Sequence, residues 1–421
     1  MIEKIHSLFL KSNLISTDTR DIIKNSIFFA LKGDNFDANK FAEEALIKGA
    51  SYAVIDNDEY LTNDNILLVD DVLNTLQELA TYHREQLGIP IIALTGSNGK
   101  TTTKELIYTV LNQKFNTTAT KGNFNNHIGV PLTLLSMNKN TEIGVVEMGA
   151  NHPKEIEFLC NIAKPDYGYI TNFGKAHLEG FGSIEGVITA KTELYRYLKS
   201  NGGIAFINTN DKIQVEKSED IKTVNFGANS IKMIDANPFV RIQYEDVIIQ
   251  SNLIGAYNAN NIAAAITIGD YFKITKNTIK KALEDFYPTN NRSQIIKIKN
   301  TKVILDAYNA NPTSMEAALE NFNNLTDKNK IVILGDMFEV GKYSDIEHQN
   351  ITDMVSNSKW KVFLIGDNFK KTKTNNKHVK FYLNYTDFTH EFNKTNFDNT
   401  TVLIKASRGM ALERIVKLLK T

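Results

Sequence analysis

The sequence has little cysteine, no excess charge of either sign and no long apolar run, and each shortage removes a class of protein. Its 421 residues contain one cysteine, Cys160, which excludes an intrachain disulfide framework and a cysteine-based zinc site. Lys plus Arg and Asp plus Glu each number 48, so the zero net charge favours neither a nucleic-acid partner nor an anionic membrane surface. No apolar run reaches the ~18 residues that span a bilayer. We therefore expect a cytoplasmic protein without nucleic-acid binding or stable membrane insertion.

The order of apolar segments divides the chain into three blocks, which we predict to be domains over residues 1–85, 86–290 and 291–421. The first block alternates short strands and helices up to Gly88-Ile-Pro90, a plausible boundary. The second repeats strand-helix units, interrupted by a β-rich stretch at 222–253, and the third restarts the alternation. Strands that alternate with helices predict mostly parallel sheets covered on both faces, so the fold class is α/β.

One short stretch carries the clearest chemical signal, TGSNGKTTTKE from Thr95 to Glu105. It follows the apolar run 89–94 and precedes a segment with helical periodicity, so strand, glycine loop and helix stand in phosphate-loop order. Loop N–H groups and the helix dipole would face an anion, Lys100 would stand beside the terminal phosphates, and the Thr101 hydroxyl could ligate Mg²⁺. The common consensus has a glycine where Leu94 stands, so a surface turn that happens to contain Gly-Lys-Thr is the competing interpretation.

Three further polar residues of the second block follow predicted strands or lie on a predicted helix, and each also has an ordinary structural explanation. Ligands of open α/β sheets bind at the carboxyl ends of the strands, where Glu147 and His177 are predicted to lie. A glutamate there can ligate a nucleotide-bound Mg²⁺ and the histidine a second metal, although both types are often surface or structural residues. Lys191 lies on a probable helix, where a lysine is nearly always a solvated surface residue.

Taken together, these features resemble the ATP-dependent Mur ligases, which build the peptide of the bacterial cell-wall precursor. The resemblance covers essentially the whole chain, and the short loop at Thr95–Thr101 looks like that family's own phosphate loop, which explains the missing glycine. The other matching segments of the second block follow in family order: Asn123-Phe-Asn-Asn126, Gly129-Val-Pro131, Glu147-Met-Gly149, Thr171-Asn-Phe-Gly174, Ala176-His-Leu-Glu-Gly-Phe-Gly182 and Ala190-Lys-Thr-Glu193.

The resemblance implies three domains: an N-terminal α/β substrate domain, a central ATPase domain and a C-terminal Rossmann-like domain. It implies ATP and two Mg²⁺ ions, a catalytic set of Lys100, Glu147, His177 and Lys191, and metal ligation by Thr101, Glu147, His177 and Lys191. Lys191 would be carbamylated, which turns a cation into an anionic oxygen ligand. The expected ATP-binding residues are Thr95, Gly96, Ser97, Asn98, Gly99, Lys100, Thr101, Thr102, Asn126, Asn258, Asn261, Arg292, Asp306, Tyr308 and Asn309.

The third block indicates which member of the family the chain resembles. Asp306-Ala-Tyr-Asn-Ala-Asn-Pro312 and Leu334-Gly-Asp-Met337 with Glu339 are similar to the member that adds D-alanyl-D-alanine to UDP-N-acetylmuramoyl-tripeptide. The first block agrees, because Thr17-Asp-Thr-Arg20 and Phe28-Phe-Ala-Leu-Lys-Gly33 look like the family's uridine-nucleotide segment. The implied substrate-binding residues are Thr19, Arg20, Lys32, Gly33, Ser407 and Arg408. Two segments depart from the family pattern: Asp37-Ala-Asn39 stands in place of Asp-Gly-His, and Tyr257 in place of a histidine.

The expected reaction is ATP-dependent amide-bond formation through an acyl phosphate, carried out by a monomer. Other readings stay open at this point. Another Mur-type amino-acid ligase would share most motifs, a general phosphate-loop hydrolase or kinase would explain residues 95–105 alone, and a nucleotide-binding regulator would need no metal-binding residues.

Overall fold

The first part of the chain forms a small parallel sheet flanked by helices. The computed structural model describes residues 1–12, 14–227, 230–288, 291–392 and 395–420. The sheet has the order β1-β2-β5-β6, and β3 and β4 form a separate antiparallel hairpin. The elements are α1 Ile2–Phe9, β1 Ile15–Ser16, β2 Ile27–Phe29, β3 Lys32–Gly33, β4 Phe36–Asp37, α2 Ala42–Ile47, β5 Tyr52–Ile55, β6 Ile66–Leu68 and α3 Val72–Leu87.

The middle of the chain builds a six-stranded parallel sheet of order β12-β11-β10-β7-β9-β8. Its chain order reverses around the central strand β7, the place where open α/β sheets bind ligands. The elements are β7 Ile91–Thr95, α4 Lys100–Leu111, β8 Thr117–Ala119, α5 Gly129–Leu135, β9 Ile143–Glu147, α6 Glu155–Ala163, β10 Tyr167–Ile170, α7 Leu178–Phe181, α8 Ile184–Lys191, α9 Glu193–Asn201, β11 Ile204–Asn208, α10 Lys212–Lys217 and β12 Lys222–Phe226.

Alternation along β7 sorts its side chains to the two faces of this sheet. Ile91 and Ala93 join the core that includes α3, α6 and α9, whereas Ile92 and Leu94 join the core that includes α4 and α11. A strand buried on both faces reads as a continuous apolar run, which is why the sequence predicts it well.

An antiparallel sheet and two helices complete this part. The predicted β-rich stretch at 222–253 supplies both β12, which extends the parallel sheet, and the three-stranded sheet of order β13-β14-β15. Helices α11 and α12 pack against the phosphate-loop helix α4. The elements are β13 Ile231–Asp235, β14 Phe239–Tyr244, β15 Val247–Ile254, α11 Asn258–Tyr271 and α12 Lys276–Glu284.

The last part forms a second six-stranded sheet of order β16-β17-β21-β18-β19-β20, parallel except for the edge strand β16. Helices cover both faces, as the alternation predicts. The elements are β16 Gln294–Ile298, β17 Thr301–Asp306, α13 Pro312–Asn324, β18 Lys330–Gly335, α14 Ser344–Ser356, β19 Lys361–Ile365, α15 Asp367–Lys371, β20 Val379–Tyr382, α16 Tyr385–Phe392, β21 Thr401–Lys405 and α17 Ile415–Lys420.

The α/β class is confirmed, and each main sheet draws its strands from one predicted block; the exact domain bounds stay predictions. Among the described residues, none of the helices combines the length and the apolar character that crossing a membrane requires.

Candidate active site

A cavity of about 790 Å³ lies between the middle and last parts of the chain, at the carboxyl ends of β7, β9, β17 and β21. This volume is within the ~300–1,000 Å³ typical of ligand pockets. The predicted residues that line it are Ser97, Asn98, Gly99, Lys100, Thr101, Thr102, Asn126, Glu147, His177, Asn258, Asn261, Arg292, Asp306, Tyr308, Asn309, Ser407 and Arg408. Those that do not line it are Thr95, Gly96, Lys191, Thr19, Arg20, Lys32 and Gly33.

The phosphate loop is held by the loop that follows β10. Gly96 has φ +139°, and a Cβ there would lie 2.0 Å from Thr171 Oγ1, so only glycine fits. The backbone carbonyl of Asn98 accepts from the Thr171 hydroxyl at 2.6 Å, and Ser97 Oγ donates to the backbone carbonyl of Gly174 at 2.9 Å. The loop geometry is therefore fixed by contacts with residues outside the motif.

Lys100 begins α4 and folds back onto its own loop, where Nζ donates to Gly96 O at 2.6 Å. Burial lowers the pKa of Lys100, and the nearby Glu147 carboxylate opposes that shift. A phosphate at the loop would give this ammonium a stronger, charged partner than a backbone carbonyl.

Glu147 ends β9 and is almost fully buried beside the phosphate-loop helix. Its Oε1 accepts from Thr101 Oγ1 at 3.2 Å and from Asn125 Nδ2 at 2.8 Å, while Oε2 is buried without a hydrogen-bond partner among the described residues. An unpartnered buried carboxylate oxygen is costly, and it is a hard ligand of the kind that Mg²⁺ takes. Thr101 and Glu147 therefore fit a magnesium ion.

The described residues contain no group of three or more His, Cys, Asp or Glu side chains arranged to hold a metal. Mg²⁺ typically uses one or two carboxylates together with substrate phosphates and waters, so a sparse protein ligand set does not conflict with the expected ion.

Lys191 ends α8 and is fully buried, unlike an ordinary helical lysine. Its Nζ donates to Ala150 O at 3.2 Å and lies 5.0 Å from the centre of the Phe181 ring. Burial, together with the positive charge of Lys100, lowers the pKa of Lys191 well below its ordinary value. The environment therefore favours a neutral amine next to the cavity-lining Ala150.

His177 precedes α7 in a left-handed backbone conformation, with φ +52°. Its Nδ1 lies 2.7 Å from Glu339 Oε2, although the angles at Nδ1 are not those of a hydrogen bond. The proximity of the imidazole lowers the pKa of Glu339. Glu339 comes from the loop after β18, so the two halves of the cavity meet at this pair.

The rim contributed by the last part of the chain is internally paired. Lys405, the buried last residue of β21, donates to Asp306 Oδ2 at 2.6 Å and to Asn309 O at 3.2 Å. The other Asp306 oxygen accepts from the Ser293 N–H at 3.1 Å. Asn309 Oδ1 accepts from the Ala310 N–H.

Tyr308 contacts two guanidinium groups. Arg292 Cζ is 3.7 Å and Arg408 Cζ 5.0 Å from the centre of its ring, and Arg408 Nη1 donates to the Tyr308 hydroxyl at 3.1 Å. Arg292 Nε is buried and makes no hydrogen bond within the described part of the chain. Ser407 Oγ accepts from the Phe338 N–H at 2.8 Å, which joins two loops of the rim.

Tyr257, Asn258 and Asn261 line the side of the cavity at the start of α11. Asn258 Nδ2 donates to Ile254 O and Asn261 Nδ2 to Asn258 Oδ1, both at 2.8 Å. The Tyr257 hydroxyl lies 2.8 Å from Ser293 Oγ, so this departure from the family pattern links α11 to the segment that leads into β16.

The middle and last parts of the chain touch at several points around the cavity. Asn311 Nδ2 donates to Asn98 Oδ1 at 2.8 Å, which joins the α13 cap to the phosphate loop. The Lys175 N–H donates to Thr313 Oγ1 at 2.9 Å, and Lys175 Nζ lies 2.7 Å from Glu347 Oε1.

The predicted sugar-nucleotide residues of the first part lie apart from this cavity. The Arg20 side chain is 88% exposed and pairs with Asp18 at 2.6 Å, an interaction that lowers the Asp18 pKa to about 2. The backbone carbonyl of Thr19 accepts from Lys48 Nζ, and Gly33 lies on an exposed hairpin strand. Lys32 is paired with Asp56 at 2.7 Å.

Asn39, the second departure from the family pattern, is fully buried and donates to both Asp37 and Asp56. Asn39 therefore links the end of β4 to the residue that follows β5.

Three residues of the site have contacts that the sequence does not predict. Asn125 and Glu339 lie within segments that match the family, and Lys405 lies two positions before the predicted Ser407. Two sequence signals could have indicated roles in the site. Asn125 lies at a short spacing from the phosphate loop, and Lys405 is a lysine at the end of an apolar strand. Their partners Glu147, His177 and Asp306 lie between 22 and 162 residues away along the sequence, which local patterns do not reveal.

Comparison with known proteins identifies the family and agrees with the fold. The Mur ligase middle domain profile matches residues 94–269, and the profile of the Mur ligase, glutamate ligase domain matches residues 291–414. The UDP-N-acetylmuramoyl-tripeptide–D-alanyl-D-alanine ligase of Bacillus subtilis is 35% identical over 425 residues, 96% of this chain and 92% of that protein. The Escherichia coli ligase of the same name is 31% identical, with 96% and 93% covered.

Solved structures agree over nearly the whole chain. The MurF ligase of Thermotoga maritima in complex with ADP has a TM-score of 0.86 at 27% identity, covering 98% of both chains. A MurF structure from Acinetobacter baumannii has a TM-score of 0.85 at 28% identity, covering 97% of this chain and 93% of that chain. Sequence profiles, relatives and fold therefore agree that the chain belongs to the Mur ligase family.

Proposed function

We propose that the protein joins D-alanyl-D-alanine to UDP-N-acetylmuramoyl-tripeptide, using ATP, in the synthesis of the peptidoglycan precursor. The named relatives in Bacillus subtilis and Escherichia coli support this substrate pair. The observation that carries the proposal is the cavity lined by Lys100, by Glu147 with its unpartnered carboxylate oxygen, and by the paired rim around Asp306.

In the first step, an oxygen of the tripeptide's terminal carboxylate attacks the γ-phosphorus of ATP, and ADP leaves. The Lys100 ammonium exchanges its backbone partner for the terminal phosphates and offsets the charge on the transferring group. The product is an acyl phosphate, an activated form of the acid. Thr95, Gly96, Ser97, Asn98, Gly99 and Thr102 shape the loop around the phosphates.

Mg²⁺ would be held at two places. Thr101 and Glu147 would hold one ion, and His177 with carbamylated Lys191 the second. Bound Mg²⁺ supplies positive charge that brings a carboxylate and a triphosphate together despite their repulsion. The neutral amine favoured at Lys191 is the form that reacts with CO₂, so burial supports carbamylation as well as explaining the lowered pKa.

In the second step, the free amine of D-alanyl-D-alanine attacks the acyl carbon, and phosphate leaves from the tetrahedral intermediate. Asn126, Asn258, Asn261, Arg292, Asp306, Tyr308 and Asn309 would contact the nucleotide. Ser407 and Arg408 would face the dipeptide or the phosphates. Closure of the last part over the middle part excludes water, which would otherwise hydrolyse the acyl phosphate.

We also propose that the chain has three domains, at 1–85, 86–290 and 291–421, with different binding roles. The first would bind the sugar nucleotide through Thr19, Arg20, Lys32 and Gly33, and the others would bind ATP and the dipeptide. We propose a cytoplasmic monomer, since both substrates are water-soluble small molecules and one chain supplies every residue named above.

The test is phosphate release from ATP with UDP-N-acetylmuramoyl-tripeptide and D-alanyl-D-alanine supplied separately and together. We expect rapid release only with both, together with one pentapeptide per phosphate. Release that ignores the dipeptide, without pentapeptide product, would indicate a phosphate-loop hydrolase. Product formed with a single amino acid in place of the dipeptide would indicate another Mur-type ligase.

A further inference from the structure

Glu339 occupies an unusual place for an exposed glutamate. It lines the cavity, follows β18 in the last part of the chain, and its side chain is 47% exposed. Its backbone is left-handed with φ +62°, as is that of its partner His177 with φ +52°. Non-glycine residues adopt this conformation uncommonly, and here two such residues from different parts of the chain face each other.

The contact between them is specific to one nitrogen of the imidazole ring. His177 Nδ1 is 2.7 Å from Glu339 Oε2, a close ion-pair contact without hydrogen-bond angles, and Nδ1 makes no hydrogen bond to any described residue. In protein metal sites, a ligating histidine commonly gives its second ring N–H to a carboxylate, which fixes the tautomer and orients the ring. Glu339 lies close enough to Nδ1 to take that role once a bound ion turns the ring into hydrogen-bond alignment, and Nε2 is then the nitrogen left for a metal.

We infer that Glu339 is a positioning residue for the metal site: its carboxylate holds the His177 ring with Nε2 presented to the second divalent ion. This inference rests on the proposed function, because the role of His177 does. The orienting carboxylate and the oriented histidine belong to opposite sides of the cavity. The second ion site therefore depends on the two sides being together.

Neighbouring contacts tie the pair to closure of the cavity. The Glu339 carbonyl accepts from the Glu179 N–H at 3.2 Å, and Gly341 is so close to Glu179 that an added Cβ would lie 3.0 Å from its Cα. The loop that carries Glu339 is thus seated directly on the segment that carries His177. The second ion site is complete only when the two parts are together, which would keep ATP activation from starting in an open enzyme.

The test measures metal binding rather than turnover. Mn²⁺, as a spectroscopic stand-in for Mg²⁺, is titrated into the full-length protein with saturating ADP, and free Mn²⁺ is followed by electron paramagnetic resonance. We compare wild type with Glu339→Gln, Glu339→Asp and His177→Ala. Glu320→Gln, an exposed carboxylate on α13, removes the same charge elsewhere and serves as the control. Thermal unfolding verifies that each variant is folded.

We expect Glu339→Gln to weaken the binding of one Mn²⁺ by ~10–100-fold, the usual loss when such an orienting partner is removed. His177→Ala should lose the same ion, Glu339→Asp should recover part of the affinity, and Glu320→Gln should match wild type. Unchanged Mn²⁺ binding in Glu339→Gln while His177→Ala loses an ion would overturn the inference and leave the proposed function intact. Unchanged binding in both variants would remove His177 from the metal site as well.

Discussion

The two sides of the cavity differ in how well their polar groups are satisfied. On the side formed by the middle part of the chain, the middle side, Glu147 Oε2 and Asn98 Nδ2 are buried without hydrogen-bond partners in the described structure, and burial lowers the pKa of both Lys100 and Lys191. On the opposite side, Asp306 is paired with Lys405 and the Tyr308 hydroxyl accepts from Arg408, and among the described lining residues of that side only Arg292 has a buried side-chain atom, Nε, without a partner. Unsatisfied buried groups are costly unless a ligand completes them, whereas satisfied networks are rigid. The middle side is therefore built for chemistry and the other side for holding the nucleotide in place.

Removal of the phosphate-loop ammonium should give the largest effect. Lys100→Met keeps the side-chain stem but loses the charge that offsets the transferring phosphate, and we expect kcat to fall by ~10²–10³-fold or more. Steady-state phosphate release checks this, with the exposed Lys359→Met as the control. A variant that stays within tenfold of wild type would contradict the assignment of chemistry to the middle side.

Loss of the buried amine at the end of α8 comes next. Lys191→Ala should lower kcat by roughly 10²-fold, because a lost metal ligand removes several kcal/mol of transition-state stabilisation. Added formate or acetate should restore part of the activity by replacing the carbamate oxygens, with no such gain in wild type. Full activity without added acid would remove the carbamate from the mechanism.

On the opposite side, Lys405→Met should act on binding and stability more than on chemistry. We expect the KM for ATP to rise by roughly tenfold with a smaller change in kcat, and the free energy of unfolding to fall by ~3–5 kcal/mol, because Asp306 loses its buried partner. The double variant Lys405→Met/Asp306→Asn should regain stability without regaining ATP affinity. Equal losses of kcat from Lys405→Met and Lys100→Met would erase the distinction between the two sides.

The smallest effect is expected from the ion pair across the closure. Glu347→Gln leaves Lys175 without its 2.7 Å partner, and a partly exposed pair of this kind contributes up to ~1 kcal/mol. The apparent KM for ATP should rise by a factor of about five or less, and the difference from wild type should shrink in high salt. A salt-independent difference would show that the pair does not act through its charges.

The features that could be predicted from the sequence are those that short stretches of the chain specify. Buried strands such as β7 and β18 appear as apolar runs, the helix after the phosphate loop has clear periodicity, and the strand ends place Glu147 near Thr101. The edge strand β16 was not predicted, because an edge strand is only half-buried and lacks a continuous apolar run.

Contacts between distant parts of the chain could not be predicted from local patterns. The burial of Lys191 depends on helices that pack around it, and the Lys405–Asp306 pair joins residues 99 positions apart. For Lys191, only the family resemblance pointed away from a solvated lysine. For Glu339, the segment was recognised, but its contact with His177 depends on the packing of two separate sheets.

The central claim is that the cavity uses ATP to activate a carboxylate. Its most direct test is to label both oxygens of the tripeptide's terminal carboxylate with ¹⁸O and to analyse the released phosphate by mass spectrometry. The account predicts one ¹⁸O atom in each phosphate, since the attacking carboxylate oxygen leaves with phosphorus when the amine displaces it. Phosphate without label, formed alongside pentapeptide, would contradict an acyl phosphate and the division of labour built on it.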